Sequence, residues 1–169
     1  MKTGHGLLRR WEAGGWTLLL ARLVLAAELI PLSLAKLGDP FGFLKSVHEY
    51  QLLPSHPAWF LNTFAAVVPW VELLGGAALL LGVGLRGTAS VLGALLAAFT
   101  TAILLRGLEI LSQGGTGFCD IQFDCGCGTG VVPICPKLAS NLLLILLCGL
   151  VVLARSRRFT LASFRRSAG

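Results

Sequence analysis

Four long apolar runs constrain this chain more than anything else in it. They cover about residues 16–37, 58–85, 88–111 and 138–154. Crossing ~30 Å of hydrocarbon takes about 20 helical residues at ~1.5 Å each, so each run is of spanning length or close to it. None alternates with the period of two that barrel strands require. A backbone in lipid must satisfy its own hydrogen bonds, so the runs are expected to be helices. Composition agrees. Only 13% of the 169 residues are charged and 55% are hydrophobic, whereas soluble domains carry about 25% charge. A water-soluble globule could not be covered with so little. A nucleic-acid partner is excluded on the same ground, although the formal charge is +6; the expected partner is the lipid bilayer. The fold class is therefore an all-α integral membrane protein, a four-helix bundle forming one domain over residues 1–155. Residues 156–169 are a basic tail.

The basic residues read as topology signals. Lys2, Arg9, Arg10, Arg86, Arg155, Arg157, Arg158, Arg165 and Arg166 fall on one side, and only Lys45 and Lys137 lie in the opposite loops, with Lys36 at a helix end. Both termini are expected in the cytoplasm of a bacterium, with the chain in its inner membrane and loops 38–57 and 112–137 outside. Arg22 and Glu28 interrupt the first run, which is longer than the apolar core of a signal peptide, so it is expected to stay as a helix. Gly75, Gly76, Gly93, Ala94, Ala97 and Ala98 allow close helix approach, within or between chains, and leave the oligomeric state open.

In the first outer loop, Asp39-Pro40 has the form of a helix start, Asp as N-cap and Pro at the first helical position. Phe41, Leu44 and Val47, with Phe43 and Tyr50, give that short helix an apolar side, expected at the outer interface. His48 and His56 lack further ligands beside them and are expected to be surface residues, not a metal site.

The second outer loop holds four of the five cysteines, in the spacing C-x5-C-x-C-x7-C: Cys119, Cys125, Cys127 and Cys135. Cys148 stands alone in the fourth run and reads as a small buried hydrophobe. Three chemistries compete for the loop. Two structural disulfides would staple it, with three possible connectivities. Thiolates would also bind a soft metal, although the spacing matches neither structural zinc nor ferredoxins. The third is thiol–disulfide exchange. A bridge across one residue, Cys125-Gly126-Cys127, would be strained, and strained exposed disulfides are the oxidising ones. In that reading Cys119 and Cys135 are a resolving or relay pair. The partner is a periplasmic thiol protein or a sulfur carrier, and a membrane quinone is a possible acceptor. The other functions in play are a soft-metal or sulfur-species transporter and a non-catalytic subunit with a stapled docking loop.

Ionisable groups at membrane depth are costly and usually face the bundle interior. By residue count Glu28 and Glu72 fall near mid-membrane, Arg22 nearer the cytoplasmic side, and Lys36, Arg106 and Glu109 near the outer ends by the cysteine loop. With Asn141 they are the candidates for a polar pocket under that loop. There they would tune thiol acidity, hold the quinone, or pair to fix helix register. Arg106 and Glu109, three apart, are placed to pair with each other. Glu72 follows Pro69-Trp70, where a kink would free a carbonyl.

Several segments together resemble a known group. Arg22, then Leu34-Ala-Lys36-Leu-Gly-Asp39-Pro40-Phe41, then Tyr50-x-Leu52-Leu53-Pro54, then Pro69-Trp70-x-Glu72-Leu-x-Gly75-Gly76, then Gly82 to Arg86, resemble DoxX-like membrane proteins. Asp124-Cys125-Gly-Cys127 before the last run resembles their MauE (methylamine utilisation) branch. The resemblance covers about residues 16–154. It implies a four-helix bundle and a role in maturing a disulfide-rich dehydrogenase subunit, or in sulfur oxidation with quinone as acceptor. It also implies Cys125 and Cys127 as the active pair, with Arg22, Lys36 and Glu72 as the motif charges. Here Gly128-Thr129 follows the pair where MauE proteins usually continue Phe-Gly, and Cys119 and Cys135 are additional.

Overall fold

A computed structural model describes residues 15–49, 57–114, 117–124 and 131–154. Within them lie four long apolar helices and one short one. Helix α1 is Trp16–Gly38, α2 is Pro40–Glu49, α3 is Ala58–Leu81, α4 is Leu85–Ser112 and α5 is Ile134–Leu153. All four long helices are apolar enough and long enough to cross a membrane. The protein is a multi-pass, all-α membrane protein.

The helices form a ring in which α1 packs most closely on α3, and α4 on α5. The looser seams are α1 with α5 and α3 with α4. The main core takes Leu18, Ala21, Leu25 and Leu29 from α1, Leu79 from α3, Ala89, Leu92 and Leu96 from α4, and Leu144, Cys148 and Val151 from α5. Glycines set the closest approaches. A Cβ on Gly75 would meet the side chain of Leu92 at 2.9 Å, and one on Gly93 would meet Cys148 Cβ at 3.2 Å. Cys148, a free and buried cysteine, fills this gap.

Three helix boundaries move from their expected places, α4 beginning at Leu85 rather than Thr88. The second apolar run ends at Leu81 rather than Leu85 because Gly82 and Gly84 both take positive φ, 75° and 54°. The Val83 N–H then returns to the Ala78 carbonyl at 2.9 Å, a C-terminal cap that only a left-handed residue permits. The apolar character of Val83 and Leu85 hides this turn in the sequence. Helix α5 begins at Ile134, four residues before the apolar run does, with Pro133 extended at its N-cap. Pro136 is tolerated because N–H groups of a first turn have no intrahelical partner.

Helix α1 stops beside the middle of α3. Ile30 lies against Gly76, and Lys36, two residues from the end of α1, reaches Glu72. The start of α3 is covered instead by α2, whose Phe43 and Val47 pack on Leu61, Ala65 and Val68. Thus α2 buries the Phe43/Val47 stripe. Phe41, expected on the apolar side with it, is 83% exposed. The expected N-cap is present: Asp39 Oδ1 accepts the Gly42 N–H at 2.9 Å. Asp39→Ala is expected to cost about 1 kcal/mol, read as a lower unfolding midpoint in detergent. An unchanged midpoint would deny the cap any energetic role.

Between α4 and α5 the chain forms a 3-10 turn, Phe118–Asp120, and two short antiparallel strands, β1 (Gln122–Asp124) and β2 (Val131–Pro133). Their register pairs Gln122 with Pro133 and Asp124 with Val131.

Candidate functional site: a bridged hairpin above a buried ion pair

Cys119 lies in the 3-10 turn and Cys135 in the first turn of α5, and the two form a disulfide. It joins the segment leading into β1 to the helix that follows β2. Cys119 is exposed and Cys135 half-buried. Beneath them, Ile121 and Ile134 are buried with Ala102 and Ile103 of α4, and Phe118 and Leu138 pack on this cluster. Gly107 of α4 makes room for it, since a Cβ there would collide with Ile134 Cδ1 and crowd Phe118. The Ile134 N–H also donates to the Ile121 carbonyl at 3.1 Å. Cys125 and Cys127 lie outside the described residues, in the six-residue stretch between Asp124 and Val131. Tyr50, His56 and the basic tail also lie outside them. His48 is exposed on α2.

Deeper in the bundle, Lys36 Nζ donates to both carboxylate oxygens of Glu72, at 2.8 and 2.6 Å. Their side chains are 6% and 4% exposed. The ammonium also lies over two aromatic rings, 5.1 Å from the centroid of Phe43 and 5.2 Å from that of Phe99. Cation–π attraction of this kind strengthens where water is excluded. Beside the pair is a cavity of about 30 Å³, lined by Leu32, Lys36, Glu72, Phe99, Lys137 and Asn141 among others. Its lining comes from α1, α3, α4 and α5. Asn141 Nδ2 donates to Thr100 Oγ1 at 3.2 Å, and Thr100 Oγ1 donates in turn to the Leu96 carbonyl at 2.6 Å. A water needs about 10–15 Å³ of such space, so the cavity has room for about two.

Of the charged residues expected in one polar pocket, the structure brings Lys36, Glu72 and Asn141 together and adds Lys137, whose place in the loop count concealed it. The others are elsewhere. Glu28 is exposed on the outer face of α1 with Leu23 and Val24. It falls one position off the buried stripe formed by Arg22, Leu25, Leu29, Ser33 and Lys36. Arg106 and Glu109 pair with each other at 2.6 Å, at 32% and 47% exposure, on the rim and not in the pocket. Arg22 is fully buried toward the opposite end of the bundle. Its Nε donates to the Leu79 carbonyl at 2.8 Å and its Nη2 to the Leu80 carbonyl at 3.1 Å. It thus supplements the cap at the last turn of α3, where the Leu79 carbonyl also accepts the Gly82 N–H at 3.2 Å and the helix dipole favours a cation. Arg86 makes a similar contact, Nη2 to the Ala154 carbonyl at 3.3 Å, just past the end of α5. Pro69 lies within α3, which runs on through it, so the expected kink does not break the helix.

The rings around Lys36 could not be found by spacing, because Phe43 and Phe99 sit on two other helices and meet it only through tertiary register. Among the described residues, no three His, Cys, Asp or Glu side chains gather as metal ligands.

The family model for methylamine utilisation protein MauE matches residues 14–154. No curated protein and no solved structure matches the chain.

Proposed function

The chain belongs to the MauE family, and from that premise we propose that it is a membrane thiol–disulfide exchange protein supporting maturation of a disulfide-bearing periplasmic partner. A wider kinship with DoxX-like proteins is part of this reading. The observation that carries it is the hairpin. Strands β1 and β2 and the Cys119–Cys135 bridge form its base on the bundle. In sequence, the pair Cys125-Gly-Cys127 sits between the two strands, flanked by glycines. The positive-inside distribution of Lys and Arg supports a periplasmic position for this end, with the chain in a bacterial inner membrane.

The exchange balances without any other reagent. A thiolate of the partner attacks one sulfur of a Cys125–Cys127 disulfide, and that bond breaks. The partner's second thiol then resolves the mixed disulfide. The partner becomes a disulfide and the pair a dithiol, with two electrons and two protons moved.

The test uses the full chain in detergent with a synthetic two-cysteine peptide as electron donor. With Cys119→Ser and Cys135→Ser present, so that the hairpin pair alone accepts electrons, the protein is expected to oxidise one equivalent of peptide. Alkylation should find Cys125 and Cys127 newly reduced. Cys125→Ser and Cys127→Ser are expected to lower the rate by about 10²-fold or more, since each removes an attacked or leaving sulfur. Serine variants that oxidise the peptide at the rate of the intact pair would refute the exchange reading and favour a loop that only docks a partner.

A further inference from the structure

The Cys119–Cys135 bridge is placed where a staple is not required. The two segments it joins are already held by the Ile121–Ile134 hydrogen bond, by the β1–β2 ladder, and by the buried cluster of Ile103, Ile121 and Ile134 with Phe118. Phe118 and Ile134 are the immediate neighbours of the two cysteines, and both pack at Gly107. Opening the bond would leave both sulfurs close to where they are. A disulfide that serves only as a clamp is usually shielded, whereas this one has an exposed Cys119.

We propose that Cys119–Cys135 is a second exchangeable disulfide, with Cys119 as the sulfur attacked and Cys135 as the sulfur released. This rests on the exchange reading for its natural donor, the Cys125/Cys127 dithiol. Access sets the direction. An incoming thiolate approaches in line with the bond it breaks, and the open approach is to exposed Cys119, because Cys135 is half-buried against the cluster. The thiolate forms a bond to Cys119 Sγ, the Cys119–Cys135 bond breaks, and Cys135 leaves and takes a proton from water. The donor's second thiol then attacks the sulfur bound to Cys119, closes the donor's own disulfide and frees the Cys119 thiol. Two electrons and two protons pass from the donor dithiol to the bridge, and no external oxidant enters the step. In this way the hairpin pair hands its electrons to the bundle end while the base stays folded.

The test removes the natural donor so that the two readings can fail separately. Full-length protein carrying Cys125→Ser and Cys127→Ser is incubated in detergent with glutathione, quenched in acid, alkylated and mapped by peptide mass. Glutathione, having one thiol, should stop at the mixed disulfide. The expected product carries glutathione on Cys119 and alkyl on Cys135, favoured about tenfold over the reverse arrangement, as access decides which sulfur is attacked. Adduct chiefly on Cys135, or a bridge that opens only when the protein is unfolded, would overturn the proposal. A second variant checks the redundancy of the clamp. With Cys119→Ser and Cys135→Ser together, the helical circular dichroism signal and its melting midpoint should stay within a few degrees of wild type. Loss of the fold would make the bridge a structural staple and also overturn the proposal. Neither result touches peptide oxidation by the wild-type Cys125/Cys127 pair.

Discussion

Lys36→Met is expected to destabilise the bundle by about 3–5 kcal/mol, the cost of leaving one member of a buried pair alone. Glu72 would then sit among Leu29, Leu32, Leu96 and Phe99 without the ammonium that now satisfies both of its oxygens. The rings of Phe43 and Phe99 would also lose the cation they face. Because Phe43 belongs to α2 and Phe99 to α4, the damage extends beyond the α1–α3 contact to the docking of the short helix. Glu72→Met is expected to cost as much, since it strands the ammonium. The informative variant is the double, Lys36→Met with Glu72→Met. Methionine is flexible and close to both side chains in length, and replacing a buried pair by packed apolar groups is often neutral or better. The double should therefore recover most of what either single loses. Unfolding from mixed micelles by a denaturing detergent gives all four free energies on one scale. A double variant as unstable as the sum of the singles would mean that the two residues do not act as a pair.

This centre also shows where the sequence was legible and where it was not. The four spans were readable because lipid demands long apolar helices, and the Asp39-Pro40 start because an N-cap is local chemistry. Cys148 was readable as a small buried residue, since an isolated cysteine in an apolar run has little else to do. What was hidden is which way each helix faces. In a soluble helix, one polar and one apolar face announce the orientation. In α1 both faces are apolar, so no periodicity separated the buried stripe of Leu25, Leu29 and Lys36 from the outer face of Leu23, Val24 and Glu28. Depth along the sequence puts Glu28 and Glu72 at one level near mid-membrane. Rotation about the helix axis turns Glu72 inward and Glu28 outward, and rotation is set by packing. The same cause placed Phe41 outside and Phe43 inside on α2. Register was hidden as well: counting residues put Lys36 near one surface and Glu72 near mid-membrane, yet they touch because α1 ends partway along α3 and α2 covers the remainder.

Arg22 carries the second large effect. By depth it counts toward the cytoplasmic end of the first run, and its charge makes it a candidate for the polar pocket. Its hydrogen bonds give it a different task at the far end of the bundle, holding the Leu79 and Leu80 carbonyls where α3 stops at Gly82. These carbonyls lie in the last turn, where intrahelical donors run short; Leu79 keeps the Gly82 N–H at 3.2 Å, and the guanidinium is its second donor. Arg22→Leu is expected to cost about 2–3 kcal/mol, the range for a charged donor lost from buried acceptors. Arg22→Lys should recover only part of that. A single ammonium can meet one carbonyl well, but it cannot reproduce the planar fork that reaches two successive ones. The graded order, wild type above Lys above Leu in micelle unfolding, is what a capping role requires. If lysine restored full stability, positive charge alone would account for Arg22. If lysine were no better than leucine, the geometry of the fork would account for all of it. Either extreme would show that the cap does not combine charge with shape as the two hydrogen bonds indicate.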